Sequence, residues 1–319
     1  MEIKTAGIIG TGAVGGMICS LLYEKYGKDF YVIGNEKRSQ RIQGGLTVNG
    51  KKIYPSVLNT EREKKPLDLV ILCMKNYDLE SSLEDLAAAI DENTVILPLL
   101  NGVTATDVVK KAFPDNRVLY GIVMRTDAAR VGYDVTYKTC GEIQLGYARN
   151  DKVCAEEVLA AKEYLADAGL RAVVYPDMLR MLWRKWMINI GANQVSVLTC
   201  AKFKYFGMFE EIRVLLRASM KEILDIAKVE NIHLTDQDLE DVVEILVNYP
   251  PEKKTSMLQD MEARRRTEID SFAGTVMKYG EKCGVPTPIN TMLYYGIKAR
   301  EKVYLKEKEE ELQGANNIS

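Results

Sequence analysis

Histidine is almost absent. The 319 residues contain a single one, His233. It lies in Val229-Glu230-Asn231-Ile232-His233-Leu234-Thr235, which reads as a surface turn between two helices. Acid–base chemistry therefore falls to Lys, Asp, Glu, Tyr or Cys. Cysteine is sparse and scattered. Cys19, Cys73, Cys140, Cys154, Cys200 and Cys283 stand singly, with no C-x-x-C pair. That spacing argues against a disulfide framework and against a zinc or other metal site, and makes a reducing cytosol the simplest setting. An excess of charge of one sign is also missing: 43 Lys and Arg stand against 45 Asp and Glu, a net charge of −2. Such a balance leaves no electrostatic footprint for nucleic acid or an anionic membrane. No apolar run approaches the roughly 20 residues that cross a bilayer. The start, Met1-Glu2-Ile3-Lys4-Thr5, lacks the basic and apolar regions of a signal peptide, so a cytoplasmic location is expected.

What is present is ample core material, with 47% hydrophobic residues. The length suggests two domains, since single cores rarely grow beyond about 250–300 residues. The first half alternates short apolar runs with amphipathic stretches. Ala6–Ile9, Phe30–Ile33, Leu69–Leu72, Val95–Leu97 and Val118–Tyr120 read as strands, and Ala13–Tyr26 and Leu79–Ala89 as helices. This alternation predicts a parallel sheet covered on both faces. The Asn49-Gly50 pair between Leu46–Val48 and Lys52–Tyr54 predicts a small hairpin. Two more strands are expected between Arg130 and Tyr147. Near Tyr175-Pro176-Asp177 the texture becomes helical, with breaks at Asn248–Pro251 and Gly284–Pro288. The expectation is a dinucleotide-binding α/β domain over 1–175 and an all-α domain over 176–319. The tail, Glu301 to Ser319, is charged and then polar, and its end is expected to fray.

Gly10-Thr11-Gly12-Ala13-Val14-Gly15 is a G-x-G-x-x-G placed between a strand and a helix, with a second strand closing a unit of about 30 residues. In that context Gly10 permits the tight turn, Gly12 lets the backbone approach a pyrophosphate, and Gly15 lets helix and strand pack closely. The helix N-terminus then offers N–H groups and positive potential to the phosphates. Selection between NAD and NADP turns on Gly34-Asn35-Glu36-Lys37-Arg38. Glu36 speaks for the ribose hydroxyl of NAD. Lys37 and Arg38, with Arg41 a turn later, speak for the 2′-phosphate of NADP, and Asn35 can bond either group. Two adjacent cations against one carboxylate favour NADP, with NAD as the alternative.

The most informative segment of the second half is Leu182 to Asn193. Lys185, Asn189 and Asn193 recur every four residues and so share a helix face, among apolar neighbours Trp186, Met187, Ile188 and Ile190. Two readings stand side by side: an inter-helix hydrogen-bond ladder, or a substrate floor on which Lys185 serves as general acid. A second row, Ser256, Asp260, Arg264 and Glu268, is either a solvated charge ladder or a helix presenting Ser256 and Glu268 to a cleft. Cys73-Met74-Lys75-Asn76 and Leu99-Leu100-Asn101-Gly102 follow strands, at the edge where such sheets bind ligands.

Taken together these motifs resemble the ketopantoate reductase (2-dehydropantoate 2-reductase) family from Gly10 to about Arg300. The more specific matches are Lys75, Asn101-Gly102, the Lys-x-x-x-Asn-x-x-x-Asn helix, Ser256–Asp260 with Thr267–Asp270, and Gly284–Thr291. The resemblance implies a Rossmann-type domain followed by an all-α domain. It also implies reduction of 2-dehydropantoate to (R)-pantoate with NADPH, on the route to pantothenate and coenzyme A. Lys185 would protonate the carbonyl oxygen, and Glu268 would hold that network or contact the cofactor ribose. Asn189, Asn193 and Ser256 would bind the substrate. Lys75 and Asn101 would position the nicotinamide side, and Ala128 would contribute a cofactor contact. Two positions depart from the family: Asn35 stands where many members carry an Arg, and Phe203 falls near the place of a further substrate-side Asn.

The alternatives are a reductase of another 2-oxoacid or 3-hydroxyacid on the same scaffold, and a dinucleotide sensor without catalysis. The expected partner is a small 2-oxoacid, not nucleic acid or membrane; a homodimer is compatible with the helical second domain.

Overall fold

The computed structural model describes residues 1–151 and 154–316, the side chains of 314–316 excepted. The chain divides into two compact units, Met1–Leu182 and Trp183–Ser319. The division falls inside the helix Met178–Thr199, a few residues beyond the change of texture at 176.

The first unit is built on a six-stranded parallel sheet. Its order is Ser56–Asn59, Phe30–Gly34, Ala6–Ile9, Leu69–Leu72, Val95–Pro98, Arg117–Val118. Ala6 is in register with Phe30 on one side and Leu69 on the other. Successive side chains along a strand point to opposite faces. Ile8, Val32, Leu69, Ile71, Val95 and Leu97 thus join one core, while Ile9, Ile33, Val70, Leu72 and Ile96 join a second on the other face. This is the Rossmann-type arrangement. Because all six strands run the same way, Gly10, Asn35, Cys73 and Leu99 all emerge at one edge.

Two smaller sheets complete the unit. The hairpin Leu46–Val48 and Lys51–Ile53 turns at Asn49 (φ 48°) and Gly50 (φ 76°), the paired positive φ of a two-residue hairpin turn. It joins the hairpin Ala129–Val131 and Asp134–Thr136 in a four-stranded sheet. Tyr120–Met124, Glu142–Gly146 and Arg171–Val174 form a third sheet.

Several expectations are corrected here. The run Val118–Tyr120 is not one strand. The chain leaves the parallel sheet at Leu119 and re-enters regular structure at Tyr120, antiparallel to Glu142–Gly146. Residues 130–147 carry three strands rather than two. The helix expected over 79–89 is short, Leu83–Ala87, preceded by the 3-10 turns Asn76–Asp78 and Glu80–Ser82.

The second unit is entirely helical among the described residues. Its helices are Met178–Thr199, Phe203–Met208, Glu210–Val229, Asp236–Val247, Ser256–Glu262, Ala273–Cys283 and Pro288–Asn316. Trp186, Met187, Ile190, Phe206, Leu216, Met220 and Ile223 fill its core. A capping box, Thr235 with Asp238, starts the helix after exposed His233. Gly284, left-handed at φ 68°, ends Ala273–Cys283 just before Pro286 and Pro288.

The ridge read over 256–268 is not continuous. The helix stops at Glu262, and Arg264 adopts φ 49°. Beyond that turn Glu301, 3% exposed, accepts from both Thr267 N and Thr267 Oγ1 through its Oε2 at 2.6 Å. That bond straps the 267–272 segment to the final helix. The final helix runs on to Asn316; the end of the tail, where fraying is expected, falls at residues 317–319, outside the described residues.

Candidate functional site

In the first unit, the three loop glycines answer to three different steric demands. Gly10 has φ 99°, and a Cβ there would lie 2.7 Å from the backbone of Cys73 and Met74. Gly15 would put a Cβ 2.0 Å from Gly10 O, so strand and helix meet only because it is glycine. Gly12, the N-cap of Ala13–Tyr26, has nothing within 4 Å of its hypothetical Cβ. The space over Gly12 is open to a ligand that must touch backbone. The first turn of that helix carries no acidic side chain, so its positive end is unopposed there. Thr11 is buried, and Ala13 and Val14 begin the helix half-buried. These residues fit a dinucleotide's diphosphate.

At the neighbouring strand ends, Lys75 and Asn101 are both half-buried. The two loops are tied by Asn76, whose Nδ2 donates to Asn101 O at 2.7 Å. Ala128 N donates to Thr126 Oγ1, close to the hairpin beside the glycine loop.

The segment after the second strand differs from a bare cluster of cations. Asn35 is an N-cap: its Oδ1 accepts from Arg38 N at 3.1 Å. Arg38 Nη1 is 2.8 Å from Asp85 Oδ2, and Asp85 is 5% exposed. Lys37 and Arg41 are exposed. Glu36 accepts from Asn59 Nδ2 at 2.5 Å, Gln40 Nε2 at 2.8 Å and Arg62 Nη2 at 2.6 Å. The bonds from Asn59 and Gln40, then the Arg62 guanidinium, hold its carboxyl below the usual range. Asn59, Arg62 and Asp85 were not legible as part of this site, because they come from a distant strand, loop and helix.

In the second unit, the polar row on Met178–Thr199 meets the N-terminus of Ser256–Glu262. Asn193 Oδ1 accepts from Met257 N at 3.0 Å and from Ser256 Oγ at 3.1 Å. A backbone N–H can only donate, so it fixes which way the Asn193 amide faces. Asn193 Nδ2 then donates to Asn189 Oδ1 at 3.3 Å. That fixes Asn189 in turn and leaves its Nδ2 buried without an acceptor. An orphaned buried donor costs about 1–3 kcal/mol, a cost that an acceptor on a ligand would remove. Lys185 lies one turn earlier on the same face and is half-buried. The stripe thus bonds to another helix at Asn193, and Asn189 in its middle keeps an unsatisfied donor.

Of the second row, Ser256 joins Asn193, while Glu268 is buried at 3% outside any helix. Asp260 pairs with Arg265, and Arg264 with Glu311. Phe203 is core, its ring 4.4 Å from Tyr249 and 5.2 Å from Phe206.

Comparison with known proteins covers most of the chain. Residues 6–150 match the family model "Ketopantoate reductase PanE/ApbA", and 177–301 match "Ketopantoate reductase PanE/ApbA C terminal". A 2-dehydropantoate 2-reductase of Archaeoglobus fulgidus is 25% identical over 293 residues, 92% of this chain and 96% of that one. A structure of D-mandelate dehydrogenase with NADH is similar with TM-score 0.83 and 25% identity, covering 94% of this chain and 99% of that one. A dimeric ketopantoate reductase from Staphylococcus aureus shares the fold, with TM-score 0.79, 19% identity, and 94% and 99% coverage.

Proposed function

The chain belongs to the ketopantoate reductase family, and from that premise we propose that it reduces a 2-oxoacid, 2-dehydropantoate foremost, to the 2-hydroxyacid, (R)-pantoate in that case. A reduced nicotinamide dinucleotide, when bound, supplies the hydride. The chain's own residues do the rest. The Gly10–Gly15 loop and the helix N-terminus hold the diphosphate, while Lys75 and Asn101, tied through Asn76, line the strand ends toward the nicotinamide. Asn189, Asn193 and Ser256 hold the substrate's carboxylate and hydroxyl oxygens. The Lys185 ammonium donates the proton that the carbonyl oxygen needs as negative charge develops on it. Glu268 supports that network.

The observation that carries this reading is the Asn189 Nδ2, buried without an acceptor one turn from Lys185. A donor next to an ammonium suits an anionic 2-oxoacid.

Cofactor choice turns on charge. Lys37 and Arg38 suggested NADPH. Arg38 is committed to the buried Asp85, and withdrawing it would leave that carboxylate unpaired, a costly arrangement. Glu36, held ionised by three donors, repels a 2′-phosphate and can accept from a 2′-hydroxyl. These contacts favour NADH, the dinucleotide named for the D-mandelate dehydrogenase relative.

A second reading keeps the chemistry and changes the substrate to a bulkier, aromatic 2-oxoacid. Phe203, packed as core where the family resemblance places a polar substrate contact, favours it, as does the D-mandelate dehydrogenase likeness. As in the dimeric relative, the working form would be a homodimer.

The test is loss of reduced-nicotinamide absorbance with purified protein, using 2-dehydropantoate and an aromatic 2-oxoacid, each with NADH and with NADPH. Turnover of 2-dehydropantoate with NADH is expected. Turnover of the aromatic acid alone would select the second reading. No turnover of any 2-oxoacid by a protein that binds dinucleotide would overturn both.

A further inference from the structure

Arg130 belongs to the strand Ala129–Val131, outside the six-stranded sheet. Its Nη1 donates to Thr11 O at 3.2 Å, and its Nε donates to Gly132 O at 2.9 Å. The Tyr133 ring lies 5.9 Å from the guanidinium carbon. These contacts place a permanent cation beside the second residue of the glycine loop. The hairpin that carries it is seated on the loop's own helix. A Cβ at Gly16 would lie 2.7 Å from Val135 Cγ2, so Val135 packs against the first turn. The side chain Oγ1 of Thr126, just upstream of the hairpin, is 3.5 Å from Met17 Sδ on the same helix. Strand, turn and helix thus fix where this guanidinium sits.

Resting on the dinucleotide reading above, we propose that Arg130 binds the cofactor's diphosphate, as a second positive element beside the helix N-terminus. Two features support it. The loop presents backbone over Gly12, where no side chain intervenes. Arginine presents five donors in a rigid fork, so bonds to loop carbonyls and to phosphate oxygens can coexist on one side chain. The carbonyl bonds orient the fork before the ligand arrives, which lowers the ordering cost of binding. The four-stranded sheet packs Leu46, Val48, Ile53 and Val135 into the core on one face of the parallel sheet, and on this reading it also carries a cation to the loop.

The experiment measures dissociation constants of the full chain for NADH, NADPH, ADP-ribose and nicotinamide mononucleotide, by fluorescence titration, in wild type, Arg130→Met and Arg130→Lys. The methionine variant is expected to lose about 10-fold to 100-fold in affinity for NADH, NADPH and ADP-ribose alike, as removal of charge-assisted bonds predicts. Nicotinamide mononucleotide, which lacks the diphosphate, changes little. The lysine variant recovers part of the loss, and the salt dependence of ADP-ribose binding flattens in the methionine variant. Unchanged ADP-ribose affinity in Arg130→Met would overturn the proposal. So would a loss confined to NADPH, which would move Arg130 to the ribose phosphate. A loss that lysine does not relieve, accompanied by a lower unfolding temperature without ligand, would make the residue a structural brace. Absence of dinucleotide binding by wild type would instead sink the cofactor reading itself.

Discussion

Asn193 Oδ1 accepts from Ser256 Oγ at 3.1 Å, and so joins the polar stripe of one helix to the start of another. The same oxygen takes the Met257 N–H, so this amide acts as an N-terminal cap supplied from 64 residues away. A proposed substrate contact and a joint between helices share one side chain.

The two asparagines should therefore separate in their effects. Asn193→Ala leaves the buried Met257 N–H without its partner, and should cost about 1–3 kcal/mol, several degrees in unfolding temperature. Asn189→Ala removes one orphaned amide and strands another, Asn193 Nδ2. Its unfolding temperature should stay within about a degree or two, while KM for the 2-oxoacid rises about 10-fold. Equal destabilisation by both would show that Asn189 is structural.

The glycine loop offers a sharper contrast. Gly10→Ala meets backbone at 2.7 Å and demands a left-handed φ of an alanine, so it should destabilise the first unit by about 2–4 kcal/mol. Gly12→Ala meets no atom within 4 Å and has an ordinary φ of −68°. Its unfolding curve should match wild type, while dinucleotide affinity falls at least about 10-fold. Thermal unfolding and NADH titration of the two variants check this. Full cofactor affinity in Gly12→Ala would mean that the diphosphate lies elsewhere.

Lys185→Ala should lower kcat about 100-fold to 10,000-fold, the range of a lost general acid, and leave NADH affinity nearly intact. Single-turnover measurements with saturating NADH separate the two quantities. Normal turnover in this variant would defeat the assignment of the proton donor.

Glu36→Gln removes the charge that opposes a 2′-phosphate but keeps the residue's length. The ratio of kcat/KM for NADH over NADPH should fall toward unity, mostly through tighter NADPH binding. Because Arg62 loses its ion pair in this variant, it becomes available to the phosphate and adds to the shift. An unchanged ratio would return the choice to Lys37 and Arg38.

Much of the fold was legible in the chain itself. The helix Ala13–Tyr26 and the central strands were readable because their signals are local: apolar runs, a glycine spacing, an Asn-Gly turn. The four-residue spacing of Lys185, Asn189 and Asn193 also placed them on one helix face without any tertiary information. The ridge over 256–268 failed for the opposite reason. Its spacing was helical, but the chain turns left-handed at Arg264, and Thr267 is then bound by Glu301 from 34 residues away, a contact that a local pattern cannot register.

The chain alone determined the parallel sheet, its glycine loop and the polar helix face, since each follows from backbone propensity and periodicity within a few turns. Tertiary structure decided which of those polar groups are already spoken for. Arg38 pairs with Asp85 from 47 residues away, and Glu36 accepts from Asn59 and Arg62, contacts that the local run of charges does not show. Charge acts through space over a few ångströms, and the order of residues along a chain does not record which charges become neighbours.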